Sequence, residues 1–233
     1  MEQPNEKLIM RKVFWRLIPL LMILYIISYI DRINVGFAAL TMNQDIGLSS
    51  YAYGLGAGIF FIGYCLFEIP SNLCVMRFGA RRWIARILIT WGVLSCAMAL
   101  VQGPTSFLIL RFLLGVAEAG FFPGVILYLT FWFPSHYRAR IIATFSLAIP
   151  LAIAIGAPLS TALLQLDGLL GLKGWQWLFI IEGLPAVIGT FFVLRFLTDR
   201  PDQATWIAPE EKNLLIDKLA EESKANEGHS VSA

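Results

Sequence analysis

The chain has 233 residues, of which 58% are hydrophobic and 15% are charged. Soluble domains carry about 25% charged residues, so this composition excludes an ordinary water-soluble protein. The net charge of +2 points to no charged partner, and we expect no nucleic acid partner. The three cysteines form no CxxC pair, and no pattern typical of a zinc site or a P-loop is present, so we expect neither a metal nor a cofactor.

Six apolar stretches are each long enough to cross the hydrocarbon core of a bilayer, which takes about 20 helical residues. The first and fourth stretches are long, as is typical of tilted or kinked helices. Short connections favour antiparallel neighbours in one bundle. The sequence therefore predicts an all-α membrane protein, a six-transmembrane-helix bundle over residues 14–196. The predicted spans are 14–40, 52–76, 83–101, 106–133, 141–165 and 176–196.

Basic residues are concentrated at one end of the predicted bundle. All of the 18 Lys and Arg residues except Arg32, Arg111 and Lys173 flank this end. Because Lys and Arg are retained in the cytoplasm, we expect this end and both termini to be cytoplasmic. Residues 1–13 then form a cytoplasmic tail. Residues 197–233 form a cytoplasmic linker, with a short amphipathic helix that begins at Pro209 and a disordered tail from Ser223.

Four ionisable residues interrupt the apolar stretches: Asp31 and Arg32 in span 1, and Arg111 and Glu118 in span 4. A charged group at membrane depth costs about 2.5–3.5 kcal/mol, so it usually faces a cavity or a partner. Arg111 and Glu118 are two helical turns apart and share one face of the helix. A rise of about 1.5 Å per residue places all four between the outer half and the centre of the bundle. We expect them to line one polar cavity.

The residue types of this cavity indicate a transport task. An arginine stays protonated and holds a carboxylate through its two-pronged guanidinium group. An acid in a poorly solvated pocket can bind and release a proton. The alternative is that the four residues are structural ion pairs, Arg32 with Asp31 and Arg111 with Glu118. Two further acids with apolar neighbours, Glu68 and Glu182, are interpreted as structural anchors.

Glycines and prolines indicate how the predicted helices pack and bend. Gly54 and Gly58 have the small-xxx-small spacing of closely packed membrane helices, and so do Gly120 and Gly124. Pro150 and Pro158, together with Gly156, predict a bent helix in span 5, since proline interrupts the backbone hydrogen bonds of a helix. Bent helices suit a carrier that alternates between states, although they also occur in rigid bundles.

Five motifs resemble those of the anion:cation symporters of the major facilitator superfamily. They are YIDRINVGFA (29–38), FEIPSN (67–72), RFGARRW (77–83), RFLLGVAEAGFFPG (111–124) and WFPSHYRAR (132–140). The resemblance covers essentially the whole chain. It is closest to bacterial members that import tartrate, sugar acids such as galactonate, glucarate or rhamnonate, and phthalate-like acids.

The resemblance implies proton-driven import of an organic carboxylate across the bacterial inner membrane. In the sugar-acid members, the arginine matching Arg32 grips the carboxylate, and the arginine matching Arg111 pairs with the acids. The implied site consists of substrate-binding Arg32, Tyr29, Tyr64 and Arg111, and of proton-coupling Asp31 and Glu118.

Two regions depart from the family pattern. Met76 stands where the superfamily usually carries an aspartate before the first arginine of the 2–3 turn. Ile149 and Pro150 stand where sugar-acid carriers tend to place a polar amide, which suggests a less hydroxylated substrate.

The resemblance also concerns length, because the family has twelve spans in two halves with the substrate between them. We expect this chain to be the N-terminal six-span half, as a truncated product or a fragment in preference to a native homodimer. The alternative function is a non-transporting sensor or membrane-binding protein that descends from such a carrier. An intramembrane enzyme would need a nucleophile–base pair or metal ligands in the spans, and none is evident.

Overall fold

A computed structural model describes residues 5–230, with side chains through residue 222. That part of the chain contains nine α-helices, and the first eight of them form six candidate membrane spans. Helices α4 and α5 together form span 4, and α6 and α7 form span 5. The predicted six-helix bundle is therefore confirmed. The helices are α1 (Glu6–Asp45), α2 (Ser50–Phe78), α3 (Ala80–Ala97), α4 (Pro104–Glu118), α5 (Phe121–Thr130), α6 (Ser135–Ser146), α7 (Ala148–Leu164), α8 (Gly174–Phe196) and α9 (Pro209–Ser230).

Helix α1 is longer than the bilayer is thick. It has 40 residues, and a rise of 1.5 Å per residue gives a length of about 60 Å against a hydrocarbon core of about 30 Å. The side chain of Asn5 caps the helix by accepting a hydrogen bond of 3.0 Å from the amide of Lys7. Most of the predicted tail over residues 1–13 is therefore helical, and residues 1–4 lie outside the described part.

Span 4 is interrupted directly after Glu118. Helix α4 ends there, and α5 begins at Phe121. Pro123 has no amide hydrogen to donate to the carbonyl group of Ala119, which weakens the helix at this point. Gly120 adopts a left-handed conformation with φ of 84°, which costs a glycine little. Proline and glycine thus place Glu118 at the end of a helix within the membrane.

Span 5 is interrupted before Pro150, as predicted, whereas Gly156 and Pro158 lie within helix α7, which continues to Leu164. Helix α6 ends at Ser146, and α7 begins at Ala148, so that only Leu147 separates the two helices. Pro150 removes the hydrogen bond that would otherwise reach the carbonyl group of Ser146. The break therefore lies one turn before the proline.

Helices α2 and α4 approach each other closely at glycine residues. A Cβ atom on Gly115 would lie 2.1 Å from the carbonyl oxygen of Phe60. A Cβ on Gly120 would likewise lie 2.2 Å from the hydroxyl oxygen of Ser71. A Cβ on Gly54 or Gly58 would meet nothing within 4 Å. The prediction of close packing is thus confirmed for Gly120 and is wrong for Gly54 and Gly58 within this chain.

The bundle core lies between α1, α3 and α8, with α7 packed on the other flank of α1. Buried apolar side chains fill this core. Where the protein is surrounded by water, the removal of their apolar area from water is the main contribution to stability. In the bilayer, close van der Waals packing takes over this role, since lipid is as apolar as the core. The buried side chains of the core include Leu17, Leu21, Ile84, Leu88, Trp91 and Phe145.

The segment after α8 folds back on the bundle. Leu215 of α9 is 1% exposed, and Trp206 stacks on Trp132 with ring centroids 5.4 Å apart. The hydrogen bond to Glu6 raises the pKa of Lys218, so this lysine stays charged at neutral pH. Three ion pairs hold α9, namely Lys12–Glu211 (2.5 Å), Lys218–Glu6 (2.5 Å) and Arg138–Glu222 (3.0 Å).

The predicted disordered tail from Ser223 needs correction. Helix α9 continues to Ser230, and residues 231–233 lie outside the described part. The sequence after Glu222 contains Lys, Ala and Glu, which have high helix propensity and extend the helix that Pro209 begins.

Candidate functional site

Helix α1 presents its polar residues in two directions. Successive residues of an α-helix are turned by about 100°, so the side chains of Asp31 and Arg32 leave the helix on different faces. Asn34 is three residues after Asp31 and shares its face. The sequence motif that holds these residues therefore serves two separate contacts.

Arg32 forms an ion pair with Glu118 across the bundle. The Nη2 atom of Arg32 lies 2.7 Å from Oε2 of Glu118. The carboxylate is fully buried, whereas the Arg32 side chain is 23% exposed. Among the described residues, Oε1 of Glu118 and Nε of Arg32 have no hydrogen-bond partner. The pair thus retains one free acceptor and one free donor next to an accessible guanidinium group.

Aromatic rings support the guanidinium group of Arg32. Its central carbon lies 5.0 Å from the ring centroid of Tyr64 and 5.7 Å from that of Phe60. An arginine that stacks on aromatic faces keeps the donors at its edge available for a planar acceptor. Tyr64, which the resemblance assigns to substrate binding, therefore lies beside Arg32.

Asp31 is bound by helix α3 and not by Arg32. Its carboxylate accepts hydrogen bonds from the Trp91 indole, the Ser95 hydroxyl group and the Asn34 amide, the last at 2.9 Å. The residue is 1% exposed. Three donors satisfy a buried carboxylate without any cation, because each supplies an N–H or O–H group to an acceptor oxygen. Asp31 thus fastens α1 to α3.

Arg111 binds the backbone of α2. Its Nε donates a hydrogen bond of 3.3 Å to the carbonyl group of Gly56, and its guanidinium carbon lies 4.5 Å from the ring centroid of Phe60. No ion pair between Arg111 and an acid exists among the described residues. The pairing of Arg111 with the acids that the resemblance implies is therefore absent from the described residues.

Tyr29 occupies an aromatic cluster next to the site. Its ring meets the ring of Tyr25 edge to face at 6.3 Å, and Tyr25 in turn stacks on Phe145 at 4.7 Å. Tyr29 is partly buried against the core. The structure therefore does not bring Tyr29 to Arg32 as it brings Tyr64.

Neither expected arrangement of the four charged residues is found. The structural alternative requires the pairs Arg32–Asp31 and Arg111–Glu118, whereas the observed pair is Arg32–Glu118. One common cavity is also not formed, because Asp31 and Arg111 are occupied by α3 and α2. The reason is the rotation of side chains around each helix, which depth along the axis does not reveal.

The two further acids differ in their surroundings. Ser160 of α7 donates a hydrogen bond of 2.8 Å to Oε1 of Glu182, and Glu182 is 3% exposed. This contact joins α7 to α8, as expected of a structural anchor. Glu68 is partly exposed, and no ion pair or hydrogen bond of its side chain is found within residues 5–222.

Sequence reasoning missed the partners of these charges. Trp91, Ser95 and Ser160 each donate to a buried carboxylate. The sequence does indicate Asn34 as a partner of Asp31, because Asn34 is a polar residue one turn after Asp31 in an apolar span. The serines and the tryptophan give no such signal, because they are common in membrane helices with no buried acid nearby.

Comparisons with known proteins agree with this architecture. Residues 21–229 match the model of the Major Facilitator Superfamily. The chain is 56% identical to a "Putative tartrate transporter" of Agrobacterium vitis, over 98% of this chain and 51% of that protein. It is 52% identical to a "Quinolone resistance transporter" of Acinetobacter baumannii, over 93% of this chain and 50% of that protein.

A solved structure shows the same fold. The xylose transporter XylE from Escherichia coli, in a partially occluded inward-open conformation, superposes with a TM-score of 0.72 at 15% sequence identity. The alignment covers 94% of this chain and 59% of that chain. The chain spans about half the length of the curated relatives it matches. These relatives are transporters and not enzymes.

A family match over nearly the whole chain, relatives above 50% identity and six membrane spans lead to one conclusion. The chain therefore belongs to the Major Facilitator Superfamily and is an integral membrane protein that crosses the bilayer several times.

Proposed function

We propose that this chain supplies the anion-binding and proton-coupling half of a carrier that imports an organic carboxylate together with protons. The observation that carries the proposal is the ion pair between Arg32 and Glu118. It combines an accessible arginine with a fully buried acid, and both have unsatisfied polar atoms. Buried polar groups are normally hydrogen-bonded, so a free donor and a free acceptor beside an accessible guanidinium group favour a site that takes a further ligand.

The substrate carboxylate competes with Glu118 for Arg32. A guanidinium group binds a carboxylate best through two parallel hydrogen bonds. Nη2 is engaged by Glu118, whereas Nε has no partner among the described residues. The ring of Tyr64 covers the face of the guanidinium group and directs an incoming carboxylate to its edge. Tyr29 adds a hydroxyl group on the same helix as Arg32.

Proton binding at Glu118 releases Arg32. An ionised Glu118 holds the guanidinium group by a charge-assisted hydrogen bond, which is about twice as strong as a neutral one. A protonated Glu118 loses the charge and frees Arg32 for the substrate. Proton and anion therefore bind together, which is the requirement for symport. Asp31 is the second acid of the proposal, since it is a buried carboxylate on the helix that carries Arg32.

The substrate class follows from the relatives and from the lining of span 5. One relative is named for tartrate, and a small dicarboxylate suits a site with a single accessible arginine in this half. Partly buried Ile149 and exposed Pro150 offer no side-chain amide, which favours an anion with few hydroxyl groups. The remaining contacts would come from a second six-span half or, less favoured, from a second copy.

The proposed setting is the bacterial inner membrane with the basic end of the bundle in the cytoplasm, as the distribution of Lys and Arg favours. The faces of α2 and α7 carry many exposed apolar side chains, such as Phe61, Ile69 and Ile155. These faces meet lipid or the second half of the carrier. The alternative of a non-transporting sensor or binding protein keeps the same anion site without the second half.

The proposal is tested by uptake of labelled tartrate into proteoliposomes with an inward proton gradient. Two proteins are compared: this chain alone, and this chain joined to the second half of the Agrobacterium vitis relative. We expect gradient-dependent uptake by the joined protein. Arg32→Ala should lower it at least about thirtyfold, since the truncation of one partner of a buried charge pair costs about 2–5 kcal/mol.

Arg82→Ala is the matched control, because Arg82 is exposed at the turn between α2 and α3. Its uptake should stay within about twofold of the unchanged protein, since exposed charges contribute little. Undiminished uptake by Arg32→Ala would refute the role of Arg32. Tartrate binding without uptake by either protein would favour the sensor alternative.

A further inference from the structure

A second charged cavity lies at the basic end of the bundle, far from Arg32. It has a volume of about 500 Å³ and lies between the first turns of α1 and the start of α6. We call it the basic pocket and define it by Lys7, Arg11 and Arg140 together with Phe14, Phe133 and Ile141. Arg11 precedes Arg32 by 21 residues, which is about 30 Å along a helix. The pocket is therefore separate from the proposed transport site.

The three cations of the basic pocket have no acidic partner. No ion pair involves Lys7, Arg11 or Arg140 within residues 5–222. Neighbouring cations behave differently, because Lys12 and Arg138 are each paired with a glutamate of α9. Glu6 is engaged by Lys218 and by His136. The acids described near the pocket are thus in use, and none of the side chains of residues 5–222 compensates its positive charge.

The pocket lies at the boundary between headgroups and hydrocarbon. Phe14 opens the apolar stretch of span 1, and Phe133 closes that of span 4. Trp15, adjacent to Phe14, is 67% exposed, and exposed tryptophans are enriched at the membrane–water interface. Cations on the water side and aromatic walls on the lipid side give the pocket two chemically distinct ends.

We infer that the basic pocket binds the headgroup of an anionic phospholipid. Its phosphate would lie among Lys7, Arg11 and Arg140, and Tyr137 supplies a hydroxyl group for the glycerol portion. The acyl chains would follow Phe14 and Ile141 towards the hydrocarbon. Basic pockets between membrane helices recognise anionic headgroups in this way. A volume of about 500 Å³ falls within the usual range for small-ligand sites.

The inference is independent of transport, so its test measures lipid binding and not uptake. Native mass spectrometry of the purified full chain counts bound lipids after titration with phosphatidylglycerol or phosphatidylcholine of equal acyl length. We expect at least about tenfold tighter binding of phosphatidylglycerol, because each basic residue near an anionic surface contributes appreciably. The variant Lys7→Gln/Arg11→Gln/Arg140→Gln should lose this preference.

A charge-matched control separates the pocket from general electrostatics. Arg77→Gln/Arg82→Gln/Arg195→Gln removes three exposed cations elsewhere at the same end of the bundle. This control should bind phosphatidylglycerol within about twofold of the unchanged chain, because none of its three arginines lines the basic pocket. An equal loss in both triple variants would overturn the inference, and so would equal binding of the two lipids.

Two further measurements keep the result unambiguous. Arg140→Gln alone should weaken phosphatidylglycerol binding partially, which covers the case in which the triple variant fails to fold. Millimolar glycerol 3-phosphate, which has the headgroup chemistry without acyl chains, should leave the bound lipid in place. Displacement of the lipid by glycerol 3-phosphate would contradict the assignment to a lipid and would identify a site for soluble phosphates.

Discussion

Asp31 and Arg32 are neighbours in sequence, yet they bind to different helices. Asp31 accepts hydrogen bonds from Trp91 and Ser95 of α3, and Arg32 pairs with Glu118 of α4. Asp31 therefore holds α1 in place while Arg32 remains partly accessible. A rigid position for α1 fixes the direction of the guanidinium group, and a preoriented arginine loses less entropy on binding an anion.

The hydrogen bonds of Asp31 predict the effect of a nearly isosteric change. Asp31→Asn replaces one acceptor oxygen by an amide nitrogen that must face a donor. The loss of one satisfied buried hydrogen bond costs about 1–3 kcal/mol. We expect a lower Tm of the purified chain in detergent. Asp217→Asn, on the exposed side of α9, should leave the Tm unchanged, and an equal Tm for both variants would contradict the assigned contacts.

At the scale of helices, prolines and glycines set the shape of the site. Pro123 ends α4 directly after Glu118, so the acid lies at a helix end within the membrane. Gly115 lets the backbone of α4 lie against that of α2. This contact positions Phe60 and Tyr64 of α2 beside Arg32. Local backbone chemistry thus brings three helices together around one guanidinium group.

The close approach of α2 and α4 predicts a large effect from one methyl group. Gly115→Ala would place a Cβ 2.1 Å from the carbonyl oxygen of Phe60, and a clash with backbone forces the helices apart. Overpacking of this kind costs about 1–3 kcal/mol or more.

We expect a clear loss of folded chain in size-exclusion chromatography for Gly115→Ala. Gly54→Ala is the matched control, because nothing lies within 4 Å of its Cβ position and alanine favours a helix. Equal yields of the two variants would contradict the observed packing.

Most of the helices and one of their bends could be predicted from the sequence, for physical reasons. The six spans follow from length and hydrophobicity, because the bilayer requires both. The bend near Pro150 follows from the missing amide hydrogen of proline. The partner of Arg32 could not be predicted, since it depends on how α1 and α4 are rotated. The prediction of close packing at Gly54 and Gly58 was wrong for the same reason. The spacing of small residues does not say which face of a helix meets a neighbour.

At the scale of the whole molecule, α9 and the segment before it close the basic end of the bundle. Trp206 stacks on Trp132. The guanidinium carbon of Arg16 lies 5.7 Å from the ring centroid of Trp206. Ion pairs from Glu211 and Glu222 add to this contact. Exposed ion pairs contribute little individually, so the aromatic contact is the principal anchor.

Removal of this anchor should loosen α9. Trp206→Ala deletes a stacked pair that contributes about 0.5–1.5 kcal/mol beyond its buried area. We expect trypsin to cleave at Lys212 and Lys218 between about twofold and tenfold faster in the variant. Trp15→Ala removes the same residue type from an exposed position and should leave the rate unchanged. An unchanged rate in Trp206→Ala would show that the ion pairs hold α9 by themselves.

The exchange of Arg32 between Glu118 and the substrate is the central claim. Its most direct test is Glu118→Gln in the protein joined to the second half of the relative, with tartrate exchange and gradient-driven accumulation measured in the same proteoliposomes. Glutamine has the shape of protonated glutamic acid and leaves Arg32 free for the anion. We expect exchange to persist in Glu118→Gln, whereas accumulation against a gradient should be lost. Accumulation at the level of the unchanged protein would contradict this claim.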